Sequence, residues 1–275
     1  MDIANLLPPS RFREADDLLA FISIYDDDRR TKAFTRLIRS HARHIRGSVC
    51  AEGGAGLGIF AVEMALLGAK KVYAVEQNRL LATLARLRLQ RLPKDIARRI
   101  EIVQLPLQRF EPPGPINVLV HEFYGQLLYD EDLWTLDHLR FHPDLVLPDG
   151  GELRAGIVTS RTYRDSVITT DVLRKLGGVL VTGLFEERCN ELQTPVLRWK
   201  FGESLCDVPH SFARKKGDLL CLGLVVRHGE KDVCEAGRCP NWSYAWTPRL
   251  GNAVSLKFQR AGASMECFFR WKDRC

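Results

Sequence analysis

The chain has 275 residues, 45% of them hydrophobic, enough to bury a full core in one large domain or two modest ones. Its longest apolar runs, such as residues 219–226, fall well short of the roughly 20 residues of a membrane-spanning helix, and its N-terminus is too acidic for a signal peptide. Neither a membrane nor secretion is expected, and a cytoplasmic protein is. The eight cysteines lack the spacing of a disulfide framework or of paired zinc knuckles, so reduced thiols and no metal site are expected, with Cys234 and Cys239 two incidental loop cysteines. The formal charge of +6 is modest. The arginines of 86–99 fall at helical spacing among leucines, as on a solvated face; nucleic-acid binding is weakly signalled, and an acidic protein partner suits a basic surface equally.

In chain order, residues 15–45 carry a helical pattern in two parts, with Leu18, Leu19 and Ile22 on one face and Phe34, Leu37, Ile38 and Ile45 on another. Asp26, Asp27 and Asp28 separate the two parts, where a carboxylate can accept the orphan N–H groups of a helix start, and Gly47 stops the second. Short β-branched or apolar runs then alternate with helical stretches: strands at 48–51, 71–75, 100–105 and 117–120, helices at 59–67 and 79–92. That alternation predicts βαβ units around a parallel sheet. After the break at Pro148, Asp149, Gly150 and Gly151 the pattern turns to strands at 152–160, 179–185, 219–226 and 254–259, with one small helical candidate at 171–177. The expected architecture is α/β: N-terminal helices over 1–47 capping a ligand site, a Rossmann-like domain over 48–148, and a mostly β, barrel-like domain over 149–275.

The run from Glu52 to Gly58 follows the first strand and opens a helix, and its glycines at 54, 56 and 58 permit a tight turn that exposes backbone N–H groups to a ligand. A nicotinamide-binding fingerprint would want a glycine at 59, where isoleucine stands. Glu76 ends the second strand, where a carboxylate can accept both hydroxyls of a ribose; with Glu52 it favours a nucleoside ligand. At the end of the fourth strand, where ligands collect in an open α/β sheet, the segment 121–131 places Glu122, with Glu131 nine residues on. Two carboxylates suit a planar, permanently charged guanidinium.

These residues resemble the protein arginine methyltransferase family. Its cofactor loop reads acid-x-Gly-x-Gly-x-Gly and continues into Gly-Ala-Lys-Lys-Val, as residues 68–72 do here; its acid-x-x-Arg-Thr segment matches 27–31, and its double-glutamate hairpin matches Glu122 and Glu131 with Gly125 at the turn. The resemblance implies S-adenosylmethionine as cofactor, bound by Glu52 and by Gly54, Gly56 and Gly58, whose loop cradles its methionine part, with Glu76 on the ribose, Arg30 on the carboxylate and Gln108 near the adenine. It implies catalysis by Glu122 and Glu131, and substrate contacts from Tyr124, Asn241 and Trp242. Phe123 and Tyr124 replace the family's Trp-Met pair, asparagine replaces a histidine at 241, and no tyrosine stands in residues 11–22, where the family's cofactor-capping helix carries its motif. The expected activity is methyl transfer to a protein arginine. The alternatives are a free arginine or small guanidino substrate, or a weakly active paralogue regulating an active methyltransferase; a homodimer or a heteromer with a related enzyme are the expected assemblies.

Overall fold

The computed structural model describes residues 8–162, 167, 169–183, 189, 192–239, 241–262 and 264–274. The chain divides into two compact units, 1–122 with 138–147, and 123–137 with 148–275. The expected boundary near 148 therefore needs one amendment, because 123–137 groups with the second unit. The reason is local packing: Tyr124 is 1% exposed and its hydroxyl donates to the Gly150 carbonyl at 2.9 Å, while the face of Gly151 meets Leu128 and Tyr124.

In the first unit α1 (Pro9–Asp26) leads into α2 (Asp28–Ser40) and the short α3 (Ala42–Ile45). Asp27 separates α1 from α2 as the helical periodicity requires, and its carboxylate accepts the Arg30 N–H at 3.0 Å as an N-cap. Five parallel strands follow, β1 (Val49–Gly53), β2 (Lys71–Val75), β3 (Ile100–Val103), β4 (Val118–His121) and β5 (Leu145–Leu147), in the order β3-β2-β1-β4-β5. The crossovers carry α4 (Ile59–Leu66), α5 (Arg79–Leu89) and the short α6 (Lys94–Ala97). Ile38, Ile45, Met64, Val72, Val118, Val120 and Leu147 form one buried cluster beneath them. The strand order reverses between β1 and β4, so the carboxyl ends of these two strands flank the switch point where such sheets bind ligands.

The second unit is antiparallel. The strands β6 (Gly150–Val158), β8 (Thr194–Lys200), β9 (Cys206–Asp207), β10 (Leu219–His228) and β12 (Ala245–Pro248) share one sheet with β7 (Val181–Thr182), and β11 (Lys231–Glu235) pairs with β10. A separate hairpin joins β13 (Gly251–Ala261) to β14 (Ser264–Arg274), and the small helix expected at 171–177 is α7 (Thr170–Arg174). Of the strand expected at 179–185, the described part is β7; 184–185 lie outside the described residues. β8 escapes the sequence reading because Pro195 cannot donate to a ladder. The structure accommodates it at a register shift, where Leu153 pairs with Leu197 but Arg154 pairs with Pro195. One expectation is overturned: Cys234 and Cys239 are joined as a disulfide, brought together where the chain turns after β11 and the Cys239 N–H reaches back to the Glu235 carbonyl.

At the centre of this sheet Glu152 is buried and accepts Arg198 and Arg227, on the strands to either side, at 3.0 Å each, and Arg154, on its own strand, at 2.9 Å. Burial alone would raise its carboxyl, but the hydrogen bonds from Arg154 and Arg198 hold it below its ordinary value. Because the folded value lies below the unfolded one, the contribution is full above the unfolded carboxylate range and is lost as pH falls through the folded value. Glu152→Gln is expected to lower unfolding free energy by about 2 kcal/mol at pH 7, a figure discounted for the partial exposure of the arginines, and the gap to wild type should shrink in denaturant titrations at pH 3. A gap independent of pH would show that the charge of Glu152 is not what the arginines need.

Candidate active site

The turn after β1 is built from alternating left-handed glycines: φ is 63° at Gly54, 51° at Gly56 and 68° at Gly58. An L side chain costs about 1–2 kcal/mol in that conformation, which explains why glycine recurs at every second position. Two buried carboxylates hold the turn. Glu76, at the end of β2, accepts the N–H groups of Gly56 and Asn78 at 2.7 Å each. Glu52, at the end of β1, accepts Phe60 at 3.2 Å and Ala61 at 2.7 Å, satisfying the first N–H groups of α4. Burial pushes the Glu52 carboxyl up to about 8, against the pull of those N–H groups and of Arg88.

Two residues outside the expected site also reach this loop. On α1, Phe21 and Tyr25 are four residues apart and so share a helix face, with ring centroids 4.3 Å apart. The ring of Phe21 lies over Gly56, where a Cβ would fall 1.9 Å from it. Tyr25 is half-buried beside the same loop, and burial raises its pKa far above the ordinary value against the opposing pull of the Leu57 and Ile59 backbone. The available signal was the aromatic i, i+4 pair just before the Asp27 cap, three residues past the window that lacks tyrosine.

Arg30 is 5% exposed, and its guanidinium pairs with the carboxylate of Glu122 just beyond the end of β4. The other oxygen of Glu122, Oε1, is buried with no hydrogen-bond partner among the described residues. Gln108 stands half-buried on a 3₁₀ turn (Leu107–Arg109) after β3.

The remaining predicted residues belong to the second unit. Among the three consecutive acids at 130–132, the structure separates two roles. Asp130 turns inward to accept the Leu127 N–H at 2.8 Å, and a Cβ on Gly125 would fall 2.1 Å from its carboxylate, so the glycine is a steric requirement. Glu131 is exposed. Tyr124, expected to touch substrate, is instead a core residue: its ring sits edge-on to Trp199 and Trp242, and its hydroxyl is committed to Gly150. Trp242 is likewise 2% exposed, donating from Nε1 to the Tyr124 carbonyl at 3.3 Å, and Asn241 beside it is half-buried. Packing has claimed both aromatics because their polar tips find carbonyl partners inside the unit.

No protein-family profile matches the chain. Curated proteins do. Over 105 residues it is 34% identical to protein arginine N-methyltransferase PRMT10 of Oryza sativa subsp. japonica, covering 38% of this chain and 27% of the relative. Over 205 residues it is 28% identical to an arginine N(omega)-methyltransferase of Streptomyces achromogenes subsp. streptozoticus, covering 73% of this chain and 53% of the relative. The chain is similar to arginine methyltransferases. It spans between about a quarter and about half the length of these two methyltransferases. Among solved structures, that of the arginine methyltransferase PRMT6 superposes with a TM-score of 0.69 at 14% identity over 93% of this chain and 99% of that one. Protein arginine methyltransferase 10 of Arabidopsis thaliana gives 0.63 at 13% identity over 90% and 92%. At such identities the likeness is one of fold: arginine methyltransferases share the Rossmann-like sheet followed by an antiparallel β unit.

Two measurements test the loop. Gly56→Ala is expected to destabilise by about 2 kcal/mol or more, through its left-handed φ and the collision with Phe21. In a Phe21→Ala background the cost should fall, and strictly additive melting data would remove the Phe21 contact. For Glu52 the folded value lies above the unfolded one, so its carboxyl binds more protons in the folded state and stability falls as pH rises from about 5 to 8. Glu52→Gln should flatten that decline.

Proposed function

We propose that the chain transfers a methyl group from S-adenosylmethionine to a guanidinium nitrogen of arginine in a protein substrate. The observation that carries this reading is the pairing at the switch point: Glu122 already holds a guanidinium, that of Arg30, beside the strand that ends in the glycine turn. Two solved arginine methyltransferase structures are complexes with S-adenosylhomocysteine, PRMT6 with SAH and a Trypanosoma brucei PRMT1 enzyme–prozyme complex with AdoHcy, which supports the cofactor. The residues fit it. Three alternate positions of the turn carry no side chain, with room for a Cβ beside Gly58, Glu76 is a carboxylate at the end of β2 where ribose hydroxyls would be held, and Arg30 carries the planar fork that suits a carboxylate. Glu52 contributes by holding the start of α4, and Gln108 is assigned to the adenine amino group.

When bound, S-adenosylmethionine supplies an electrophilic methyl group on a sulfonium. The chain's own work is positioning and charge. Glu122 orients the substrate guanidinium and offsets the cost of bringing one cation to another, and we assign Glu131 the second grip. The attacking nitrogen would gain the methyl carbon as that carbon's bond to sulfur breaks, and would release its proton to solvent as or after the carbon–nitrogen bond forms. We assign the antiparallel unit to the substrate, as a barrel-like domain, with Asn241 at its acceptor side and Trp242 supporting that loop from the core.

A second reading has its own support. The Streptomyces relative, named for arginine itself, aligns over 73% of this chain, more than the plant enzyme does, which favours free arginine or a small guanidino compound. The T. brucei neighbour is an enzyme–prozyme heterotetramer, so a heteromer joins the homodimer among the proposed assemblies. Labelled S-adenosylmethionine offered with an arginine-rich peptide, with free arginine and with no acceptor separates these. Transfer to peptide should fall by about 100-fold or more in kcat/KM for Glu122→Gln and for Glu131→Gln, with S-adenosylhomocysteine binding retained by calorimetry. Cofactor binding without transfer to any acceptor would sink the enzymatic reading, and transfer that survives both substitutions would sink the double-glutamate mechanism.

A further inference from the structure

Residues 79–99 carry seven Lys or Arg and a single acid, Asp95, a local excess equal to the formal +6 of the whole chain. The structure divides these seven cations by task. Arg88 donates to the Leu57 carbonyl at 2.8 Å and Arg99 to the Ala69 carbonyl at 3.1 Å, both half-buried and holding the unit together. The other five, Arg79, Arg86, Arg91, Lys94 and Arg98, are exposed. Of these, Arg86 spends one N–H on the Ile102 carbonyl at 3.3 Å, which leaves the rest of its fork to solvent. On α5 the steps from Arg79 to Arg86 and on to Gln90 keep one face of the helix, and Arg91, Lys94 and Arg98 follow on the turn after it and on α6 and its end. The acid on the adjoining edge strand, Glu101, is paired with Lys71 at 2.8 Å and does not neutralise the stripe.

We infer that the outer face of α5 and α6 is a docking surface for the phosphate backbone of a nucleic acid. Three features favour that occupant over an acidic protein. Four of the five exposed cations are arginines, whose planar forks match phosphate oxygens in pairs. The exposed apolar side chains here are Leu87, at 50%, and Pro93, with no aromatic among the exposed residues, so the face lacks the apolar centre on which protein interfaces depend. From Arg79 to Arg91 the cations spread over roughly 15–20 Å at about 1.5 Å per helical residue, a span that covers several successive phosphates. With no base-reading pocket among these residues, the contact is to backbone and independent of sequence. None of the five exposed cations is among the residues assigned to the cofactor or the acceptor, and the inference does not depend on the methyltransferase reading.

The test uses the full chain and a fluorescein-labelled single-stranded RNA of about 20 nucleotides and mixed sequence, followed by anisotropy. With four phosphates neutralised, affinity should fall about 50-fold between 50 and 200 mM salt. The triple variant Arg79→Glu, Arg86→Glu, Arg91→Glu should bind at least tenfold more weakly, whereas Arg214→Glu with Lys216→Glu, exposed cations of the second unit, should bind as wild type does. Thermal melts check that both variants fold, and the glutamine version of the triple variant gives the same ordering with a smaller loss if charge reversal prevents folding. Absence of binding at 50 mM salt overturns the inference. So does equal weakening by the two charge-reversed variants, or competition by a polyglutamate peptide of matched charge as effective as that of unlabelled RNA.

Discussion

Backbone N–H groups that a tight turn leaves unpaired must find acceptors or water, and after β1 the acceptors are two buried carboxylates. Glu76 fastens Gly56 to the end of β2, and Glu52 fastens the first residues of α4 to the end of β1. These anchors let three left-handed glycines succeed one another without the loop collapsing, and they fix where α4 starts. The packing of Ala61, Met64 and Ala65 on the sheet follows from that start. The same two acids cost the fold something, because each is taken out of water; the raised Glu52 carboxyl is the visible sign of that cost.

Charge in the first unit is arranged around guanidinium groups. Arg30 is buried on α2 and answered by Glu122, while Arg88 reaches the Leu57 carbonyl beneath the loop. A carboxylate that can hold one guanidinium in a water-poor setting has the geometry to hold another, and this links the local electrostatics to the proposed substrate. In the second unit the pattern is inverted: one buried acid, Glu152, serves three arginines drawn from three adjacent strands. There the ion pairs organise a sheet, whereas beside β4 they lie at the proposed site.

Short-range signals carried most of the first unit. The period of the helices, the Asp27 cap, the glycines at 54, 56 and 58 and the acids at strand ends each depend on neighbours a few positions away, and all stand where the chain pattern puts them. The strand that begins at Thr194 was hidden because Pro195 reads as a break unless a partner strand shifts register around it. The disulfide between Cys234 and Cys239 was hidden because spacing alone cannot say whether two loop cysteines turn towards each other.

By itself, the sequence determined a Rossmann-like sheet with a glycine turn and two strand-end carboxylates, an antiparallel sequel, and the pair Glu122 and Glu131 as the chemistry to test. Only the tertiary structure decided what those side chains touch. It pairs Arg30 with Glu122 across 92 positions, lays Phe21 over Gly56, turns Asp130 inward while Glu131 stays exposed, and spends Tyr124 and Trp242 on the core. The reason is physical: backbone preference is set by each residue and its near neighbours, whereas burial and ion pairing are set by groups that meet only once the sheets have formed.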